Sequence, residues 1–425
     1  MERIPLCLVG CGGMGQRHLL GYKRLADSGI GNIEVVAVCD LRPENAEIGA
    51  REVERLFGRR PMLFTDFDEM LRHPEIVAID VVTDPSGHHA VATPALRAGK
   101  HALVEKPLGI TIRACQAMIA AARQSGVVLA TAENLRRDVP NRLARSIIDH
   151  GVLGDLFLMI HSAFGGNDEI IITPWRHMKE RGAIGLDMAV HYADIVQYYL
   201  GEFDEIYGRG LIAEPTRRRR AAPELDLETY RERFARMPET VEATGEDSVI
   251  ALYRMKSGVM CQFTYIPAGR GRRHFDRTVH GRAATMIAPG DRNGRPVILS
   301  LPGSELRGRD ILPLLPNFRL DEITERLFGT RAVEYQLPFA EVDAGHLAIE
   351  MHDFGEAILK GRAPEVDGYL GMTAVAAIYA AYESAWIGRS VRMSEVLDGT
   401  VRGYQEEIDE ALGLAQTVAG PILAG

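Results

Sequence analysis

A glycine-rich loop near the start of the chain carries the clearest chemical signal in this sequence. Residues 10–15 read Gly-Cys-Gly-Gly-Met-Gly, which fits G-x-G-x-x-G. The loop follows an apolar run and precedes a helical pattern. Such glycines allow a tight turn and let phosphate approach the backbone, and the N–H groups of the following helix attract that phosphate. The loop therefore predicts a dinucleotide-binding site formed by Gly10, Gly12, Gly13, Met14 and Gly15.

An acidic residue ends the second predicted strand, where such a site needs one. Asp40 follows the apolar run Val-Val-Ala-Val-Cys. A carboxylate at this position accepts hydrogen bonds from the adenosine ribose and repels a 2′-phosphate, which favours NAD over NADP. Arg42 lies two residues later and keeps NADP possible. The alternative is a Rossmann fold that has lost its ligand.

The elements that must position these residues follow from the hydrophobic pattern. Short, continuously apolar runs alternate with helical periodicity as far as residue 132, which is typical of a parallel sheet covered on both faces. The predicted strands are 4–9, 33–40, 62–65, 78–83, 101–105 and 127–132, and the predicted helices are 14–26, 46–57, 67–71, 89–98 and 112–125. We expect an N-terminal NAD-binding Rossmann domain over residues 1–132.

The remaining residues, 133–425, show a different order of elements. Sequential strand patterns predict an α/β domain with a large, mostly antiparallel sheet. Strands are predicted at 156–164, 248–255, 259–266 and 277–287, a helix at 185–200, and closing helices at 347–360 and 369–387. The segments 213–246 and 289–337 show little periodicity and are interpreted as insertions.

Composition limits the class of protein. The net charge of −9 argues against a nucleic-acid partner, because phosphate binding needs a basic face. The basic run 217–220 is either a solvated part of an insertion or a contact surface for a partner or an anionic ligand. No stretch approaches the ~18 apolar residues of a membrane helix, and no signal peptide is recognised, so we expect a cytoplasmic protein without a membrane partner.

Histidine and cysteine spacing argues against a metal site. The five cysteines form no CxxC pair, and their odd number indicates reduced thiols. The scattered histidines form no H-E-x-x-H motif or Cys/His cluster. We therefore expect no bound metal.

Further motifs give this sequence a recognisable order. Residues 83–89 read Thr-Asp-Pro-Ser-Gly-His-His, residues 104–108 read Val-Glu-Lys-Pro-Leu, and 132–134 read Ala-Glu-Asn. Pro-Trp-Arg follows at 174–176, and residues 182–191 lead from a glycine to a histidine. The order resembles the Gfo/Idh/MocA family, which includes glucose–fructose oxidoreductase and inositol dehydrogenase.

The resemblance implies three catalytic residues: Lys106, Asp187 and His191. Lys106 would bind the reacting oxygen beside the nicotinamide and stabilise the developing alkoxide. His191 would act as the general base, and Asp187, on the same helical face, would orient the substrate or the histidine. Asp187 could instead be a structural partner of a neighbouring cation. The resemblance also implies a cofactor pocket formed by Thr83, Pro85, His88, Glu105, Lys106, Asn134, Trp175 and Arg176.

The implied function is hydride transfer between NAD and a secondary hydroxyl or keto group of a small sugar, glycoside or cyclitol. Two alternatives remain: a lyase, epimerase or glycosidase that retains NAD through a closed redox cycle, and a non-enzymatic NAD-sensing regulator. The resemblance also implies a homodimer or homotetramer. One departure affects the helix that would carry Asp187: Arg181 and Ala183 flank Gly182 where the family has a longer glycine run.

Overall fold

The computed structural model describes residues 3–220, 234 and 236–415. Residues 221–233 and 235, part of the predicted insertion 213–246, lie outside this range. The chain divides into two compact units. In the described range, the first unit contains residues 3–134, 234, 236 and 340–372, and the second contains residues 135–220, 237–339 and 373–415.

The described residues form seventeen strands and twelve α-helices. The strands are β1 (Ile4–Val9), β2 (Ile33–Cys39), β3 (Met62–Phe64), β4 (Ala78–Val81), β5 (His101–Glu105), β6 (Leu129–Ala132), β7 (Leu156–Phe164), β8 (Phe203–Leu211), β9 (Thr216–Arg218), β10 (Thr240–Glu242), β11 (Ser248–Met255), β12 (Met260–Ile266), β13 (His274–Gly281), β14 (Thr285–Ile287), β15 (Ile298–Leu301), β16 (Ser304–Arg307) and β17 (Val391–Arg392). The helices are α1 (Gly13–Asp27), α2 (Pro43–Phe57), α3 (Phe67–Arg72), α4 (His88–Arg97), α5 (Ile112–Ser125), α6 (Val139–Asp149), α7 (Ala183–Leu200), α8 (Glu322–Phe328), α9 (Phe339–Lys360), α10 (Gly368–Ile387), α11 (Met393–Leu397) and α12 (Glu406–Ala411).

The first unit is built on a six-stranded parallel sheet in the order β3-β2-β1-β4-β5-β6. The central strands are continuously buried, as their apolar runs predict. The strand order reverses between β1 and β4, and ligands of open α/β sheets bind outside the carboxyl ends of the strands at such a switch point. The predicted Rossmann sheet is confirmed.

A later segment also belongs to the first unit. Residues Ala340–Met372 group with the parallel sheet, although the sequence pattern placed the closing helices in the second domain. Asn32 donates a hydrogen bond to the carbonyl of His352 on α9, at 2.9 Å. A Cβ on Gly21 of α1 would lie 2.7 Å from the Cβ of Leu347, so a glycine is needed for the two helices to pack this closely.

The second unit contains a nine-stranded sheet in the order β16-β15-β14-β13-β7-β12-β11-β8-β17. It is mostly antiparallel, as predicted, but β7 and β12 pair in parallel. The run predicted as one strand over 277–287 is the hairpin of β13 and β14. The segment 289–337 is more regular than its sequence pattern indicates, because β15 and β16 extend the sheet there and α8 follows them.

The basic run 217–220 begins inside the protein rather than on its surface. Arg217 is fully buried and pairs with the buried Asp247 at 2.7 Å. Arg219 donates a hydrogen bond to the carbonyl of Met237 at 2.9 Å. The strand β9, which contains Arg217, pairs with β10. The first part of this run therefore anchors the segment to the second unit.

A helix that spans a membrane must be both long and apolar. Within the described ranges, none is both long enough and apolar enough to cross a bilayer.

Candidate active site

The glycine loop connects β1 to α1 in the way the sequence predicts. Gly10 has a φ of 102°, and a Cβ there would lie 2.8 Å from the carbonyl oxygen of Val82. A Cβ on Gly15 would approach the Gly10 carbonyl oxygen to 2.1 Å. The first turn of α1 has no acidic residue and no side-chain cap. The backbone at Gly12, Gly13 and Met14 therefore presents a helix N-terminus suited to a phosphate.

Asp40 lies beside this loop at the carboxyl end of β2. Its carboxylate accepts hydrogen bonds from the backbone N–H groups of Cys11 and Arg42, each at 2.9 Å. The amide of Asn45 lies 3.3 Å from the same carboxylate. The Arg42 side chain is exposed. Asp40 thus joins the glycine loop to the second strand, which fixes the direction of its negative charge.

The loop after β4 is held by its own acidic residue. Asp84 accepts hydrogen bonds from the backbone N–H and the hydroxyl of Ser86, which shapes the turn that begins at Pro85. Thr83 is half-buried and donates to the Asp84 carbonyl at 3.3 Å. His88 is fully buried, so its place in the fold is beneath the loop.

The Glu-Lys-Pro motif forms the turn at the end of β5. Glu105 is buried, Lys106 is half-buried, and the Lys106–Pro107 peptide bond is cis. Nδ1 of His88 lies 3.0 Å from the Pro107 carbonyl oxygen. Burial lowers the pKa of His88, and because a carbonyl can only accept, Nδ1 carries the proton of the neutral ring. His88 therefore holds the turn that presents Lys106.

Asn134 lies just after β6, and its side-chain oxygen has no hydrogen-bond partner although it is buried. Leaving a buried acceptor unpaired costs free energy, so this oxygen is suited to accept a hydrogen bond from a ligand.

The first-unit residues fit a dinucleotide. The glycine loop, Asp40, the Thr83–His88 loop, the Glu105–Lys106 turn and Asn134 follow five different strands of the parallel sheet. The carboxyl ends of parallel strands meet at one edge of a sheet, so these groups share that edge. A glycine-rich cradle, a carboxylate and an unpaired acceptor are groups that phosphates, ribose hydroxyls and an amide can use.

A second group of predicted residues lies in the second unit, on and before α7. Nε of Arg176 donates a hydrogen bond to the carboxylate of Asp187 at 2.8 Å. The guanidinium also lies 4.5 Å from the ring centre of Trp175, an arrangement that supports a cation–π contact. Asp187 is almost fully buried. It is therefore an ion-pair partner of Arg176, as the structural alternative predicts, and its carboxylate direction is fixed.

His191 lies one turn after Asp187 on α7, so both side chains are on the same face of the helix. His191 is 5% exposed. The helix begins after Gly182 with an unusual backbone, because Ala183 has a φ of 46° in the left-handed region that favours glycine. The departure from the family's glycine run therefore leaves a strained residue at the entry to this helix.

Two buried polar clusters escaped the sequence interpretation. In the first unit, His18 of α1 lies between Asp80 and Glu105. In the second unit, Arg277 pairs with Asp291. An aspartate inside the apolar strand 78–81 was a usable signal for the first cluster, since a buried carboxylate needs a partner. The second cluster joins β13 to a segment interpreted as a loop.

A metal site needs several His, Cys, Asp or Glu side chains close together. No three His, Cys, Asp or Glu side chains of residues 3–220, 234 and 236–415 form a group that could hold a metal ion.

Comparison with known proteins gives relatives over most of the chain. A levoglucosan dehydrogenase of Pseudarthrobacter phenanthrenivorans is 29% identical over 211 residues, which cover 48% of this chain and 53% of the relative. A myo-inositol 2-dehydrogenase of Thermotoga maritima is 22% identical over 392 residues, covering 92% and 98%. The chain spans about half the length of the levoglucosan dehydrogenase and of several other curated relatives that it matches.

The chain is also similar to a solved structure and to two family models. A levoglucosan dehydrogenase in complex with NADH and L-sorbose has a TM-score of 0.72 at 21% identity, covering 92% of this chain and 99% of that one, which shows a common fold. Residues 4–133 match the oxidoreductase family with an NAD-binding Rossmann fold, and residues 141–287 match the C-terminal domain of the same family. The chain is thus a member of the Gfo/Idh/MocA oxidoreductase family, with an NAD-binding N-terminal domain.

Proposed function

We propose that this protein transfers a hydride between NAD and a secondary hydroxyl or keto group of a sugar, glycoside or cyclitol. The observation that carries the proposal is the position of Lys106, which follows β5 at the sheet edge that also presents the glycine loop and Asp40. In this assignment residues 1–132 bind NAD and residues 133–425 bind the substrate. Relatives named as levoglucosan and inositol dehydrogenases support the class of substrate.

The proposed chemistry separates a proton and a hydride that leave the same C–OH group. His191 takes the hydroxyl proton, because an imidazole nitrogen can act as a general base. Lys106 donates a hydrogen bond to the oxygen on which negative charge develops. An NAD molecule held by the glycine loop and Asp40 would supply the acceptor for the hydride.

Asp187 acts in this proposal through the fixed orientation of its carboxylate. Its Oδ2 is held by Arg176 at 2.8 Å, and Trp175 supports the arginine from one side. A buried carboxylate with one oxygen held can orient a substrate hydroxyl or the imidazole of His191 without changing its own rotamer. We assign Arg176 and Trp175 to this support and retain them as candidates for the cofactor pocket.

The remaining cofactor residues are assigned by their positions at the ends of the strands. The glycine loop would hold the pyrophosphate, and Asp40 would hold the adenosine ribose and favour NAD over NADP. Thr83, Pro85, Glu105 and Asn134 would line the nicotinamide half of the pocket. His88 would contribute through the Pro107 carbonyl.

The activity is tested by following the absorbance of reduced nicotinamide with NAD or NADP and a panel of sugars, glycosides and inositols. We expect NADH to accumulate with at least one substrate. Lys106→Ala should lower kcat by about 100- to 1000-fold, as loss of a donor to a developing oxyanion does, with little change in NAD affinity. Lys256→Ala, which removes an exposed lysine from the β11–β12 turn, is the matched control.

Two results would oppose the proposal. Unchanged turnover in Lys106→Ala would remove the lysine from the mechanism. Product formation without free NADH would favour the closed redox cycle of an NAD-retaining lyase, epimerase or glycosidase.

We also propose that the protein forms a homodimer or homotetramer through one face of the nine-stranded sheet. On β11 the exposed Ile250 and Leu252 alternate with buried residues, and several exposed side chains on this face are apolar. Tyr207 is 59% exposed, Leu252 50% and Ile250 45%. Leu252 is paired with Tyr207 across β11 and β8, and an exposed apolar patch of this kind marks an interaction surface.

Self-association is tested by light scattering after size-exclusion chromatography. Leu252→Glu should shift the wild-type oligomer toward monomer, because it would bury a charge in the interface. Leu63→Glu, at an exposed apolar position on the edge strand β3, should leave the mass unchanged. A wild-type monomer would contradict the proposal.

The net charge of −9 supports a protein without a nucleic-acid partner. We further propose a cytoplasmic location without membrane association, which fractionation of the native host would test.

A further inference from the structure

Beneath the Glu-Lys-Pro turn, the first unit contains a buried histidine between two buried carboxylates. His18 lies on α1, Asp80 on β4 and Glu105 on β5. Nδ1 of His18 lies 2.7 Å from Oδ2 of Asp80, and its Nε2 lies 3.7 Å from Oε1 of Glu105. The side chains of His18 and Asp80 are fully buried, and that of Glu105 is 8% exposed.

Strand register explains why two carboxylates meet here. Asp80 is aligned with Leu103 on the neighbouring strand, so Glu105, two residues later, projects from the same face of the sheet. Two carboxylates on one face of a buried site repel each other. His18 lies against both and supplies the opposite charge.

The protonation state agrees with this arrangement. Burial acts to lower the pKa of His18, but Asp80 and Glu105 outweigh it and raise that pKa to about 10. Tyr22 donates a hydrogen bond to Oδ2 of Asp80 at 2.9 Å, and Glu350 of α9 acts on the Tyr22 phenol. His18 is therefore an imidazolium at neutral pH, and the three charges leave one net negative charge.

We propose that His18 is a positioning residue that acts through Glu105 on the turn presenting Lys106, an inference that rests on the function proposed above. The imidazolium lies within ion-pair distance of the Glu105 carboxylate, at 3.7 Å, and Glu105 is covalently joined to Lys106. On the other side of the turn, the neutral ring of His88 holds the Pro107 carbonyl at 3.0 Å. Two buried histidines, one charged and one neutral, thus hold the residues before and after the lysine.

The test uses the charge balance of the cluster. His18→Gln keeps hydrogen-bonding groups but leaves two carboxylates without their cation. Asp80→Asn added to it restores the net charge of minus one and retains an acceptor for Tyr22. His150→Gln, at an exposed histidine on the end of α6, is the control.

The first readout is NADH affinity, measured by nicotinamide fluorescence, which needs no substrate. His18→Gln should weaken NADH binding and lower kcat/KM by about 10- to 100-fold, the range typical when an outer partner of a functional group is lost. The NADH affinity and the kcat/KM of the double variant should each be at least tenfold higher than those of His18→Gln.

The second readout is ¹⁵N NMR of the imidazole rings in the cofactor-free protein. The His18 signals, assigned by their loss in His18→Gln, should remain those of an imidazolium above pH 8. A neutral ring at pH 7 would overturn the inference, as would a double variant no better than His18→Gln. If His18→Gln does not fold, folding of the double variant supports the inference and failure of both opposes it. An inactive wild type with the expected NADH and NMR results would refute the proposed activity alone.

Discussion

Replacing Asp291 with asparagine should destabilise the second unit far more than a single surface substitution does. Asp291 accepts hydrogen bonds from Arg277 through both oxygens, each at 2.7 Å, and from Asn141 at 2.8 Å. Arg277 is fully buried. Removing one charge of a buried pair leaves the other uncompensated, which costs about 3–5 kcal/mol. Because asparagine can still accept one hydrogen bond, we expect about 3 kcal/mol.

The pair also supports the helix that carries the proposed catalytic residues. Tyr199, near the end of α7, donates a hydrogen bond to the same Asn141 at 2.6 Å. Burial acts to raise the pKa of Asp291, but Arg277 outweighs it and holds that pKa below its usual value. A depressed carboxyl pKa stabilises the folded state above the unfolded value near ~3.9 and loses this contribution as the pH falls through the folded value. The stability difference between wild type and Asp291→Asn should therefore shrink under strong acid.

The assay can report on this unit alone. The protein has two tryptophans, Trp175 and Trp386, and both lie in the second unit. Urea unfolding followed by tryptophan fluorescence should show the midpoint of Asp291→Asn shifted to lower urea. Asp155→Asn, in an exposed pair with Arg282, should change stability by less than about 1 kcal/mol.

A double replacement separates charge from packing. Arg277→Met with Asp291→Leu removes both charges and fills a similar volume, so it should recover most of the lost stability. The reasoning fails if the free energies of unfolding of Asp291→Asn and Asp155→Asn differ by less than about 1 kcal/mol.

Three further predictions follow from the site and its supports. Asp40→Ser should reduce the preference for NADH over NADPH by about tenfold, measured as the ratio of dissociation constants, and an unchanged ratio would exclude electrostatic selection by Asp40. Ala183→Gly should raise the unfolding midpoint measured by fluorescence. Relief of ~1–3 kcal/mol of backbone strain exceeds the ~0.5–1 kcal/mol entropic cost of glycine. A lower midpoint would show that the φ of 46° at this residue carries no strain. The raised His18 pKa, about 10 against an unfolded value near ~6.5, stabilises the fold fully below pH 6.5 and loses this contribution as pH rises toward 10. Calorimetry should show a steeper alkaline loss of stability in wild type than in His18→Gln, and parallel curves would refute that sign.

The sequence predicted the parallel sheet well because each of its signals is local. The strands Ile4–Val9 and His101–Glu105 and the helix Ile112–Ser125 have the bounds expected from their apolar patterns. Buried strands of a parallel sheet are apolar on both faces, so their runs end sharply. The glycine loop was equally readable, since its geometry depends on residues next to one another in the chain.

The second unit was harder to predict, because its strands depend on distant partners. β8 contains glycines at positions 208 and 210, where a Cβ would meet Ala251, Ala381 or Tyr382. Glycines weaken a strand pattern, although here close packing requires them. The helix Val139–Asp149 and the strands within 289–337 were missed for a similar reason, as short or polar elements carry little periodicity.

Site residues divide in the same way. Asp187 could be placed on α7, but its pairing with Arg176 joins two elements and could be stated only as an alternative. The burial of His88 and the charge of His18 arise from tertiary contacts that local sequence does not encode. Their assignment to catalysis or cofactor binding stays a prediction until the variants are measured.

The parallel pairing of β7 with β12 has a consequence for how the chain folds. β7 ends at Phe164, whereas its two neighbours begin at Met260 and His274, so neither edge of this central strand can be paired until the chain has been made well beyond residue 260. Such non-local pairing slows folding, and strand edges that stay unpaired until their partners are synthesised promote aggregation. Synthesis that stalls between β7 and β12 would therefore release an aggregation-prone fragment, and chaperone demand should be greatest over this interval.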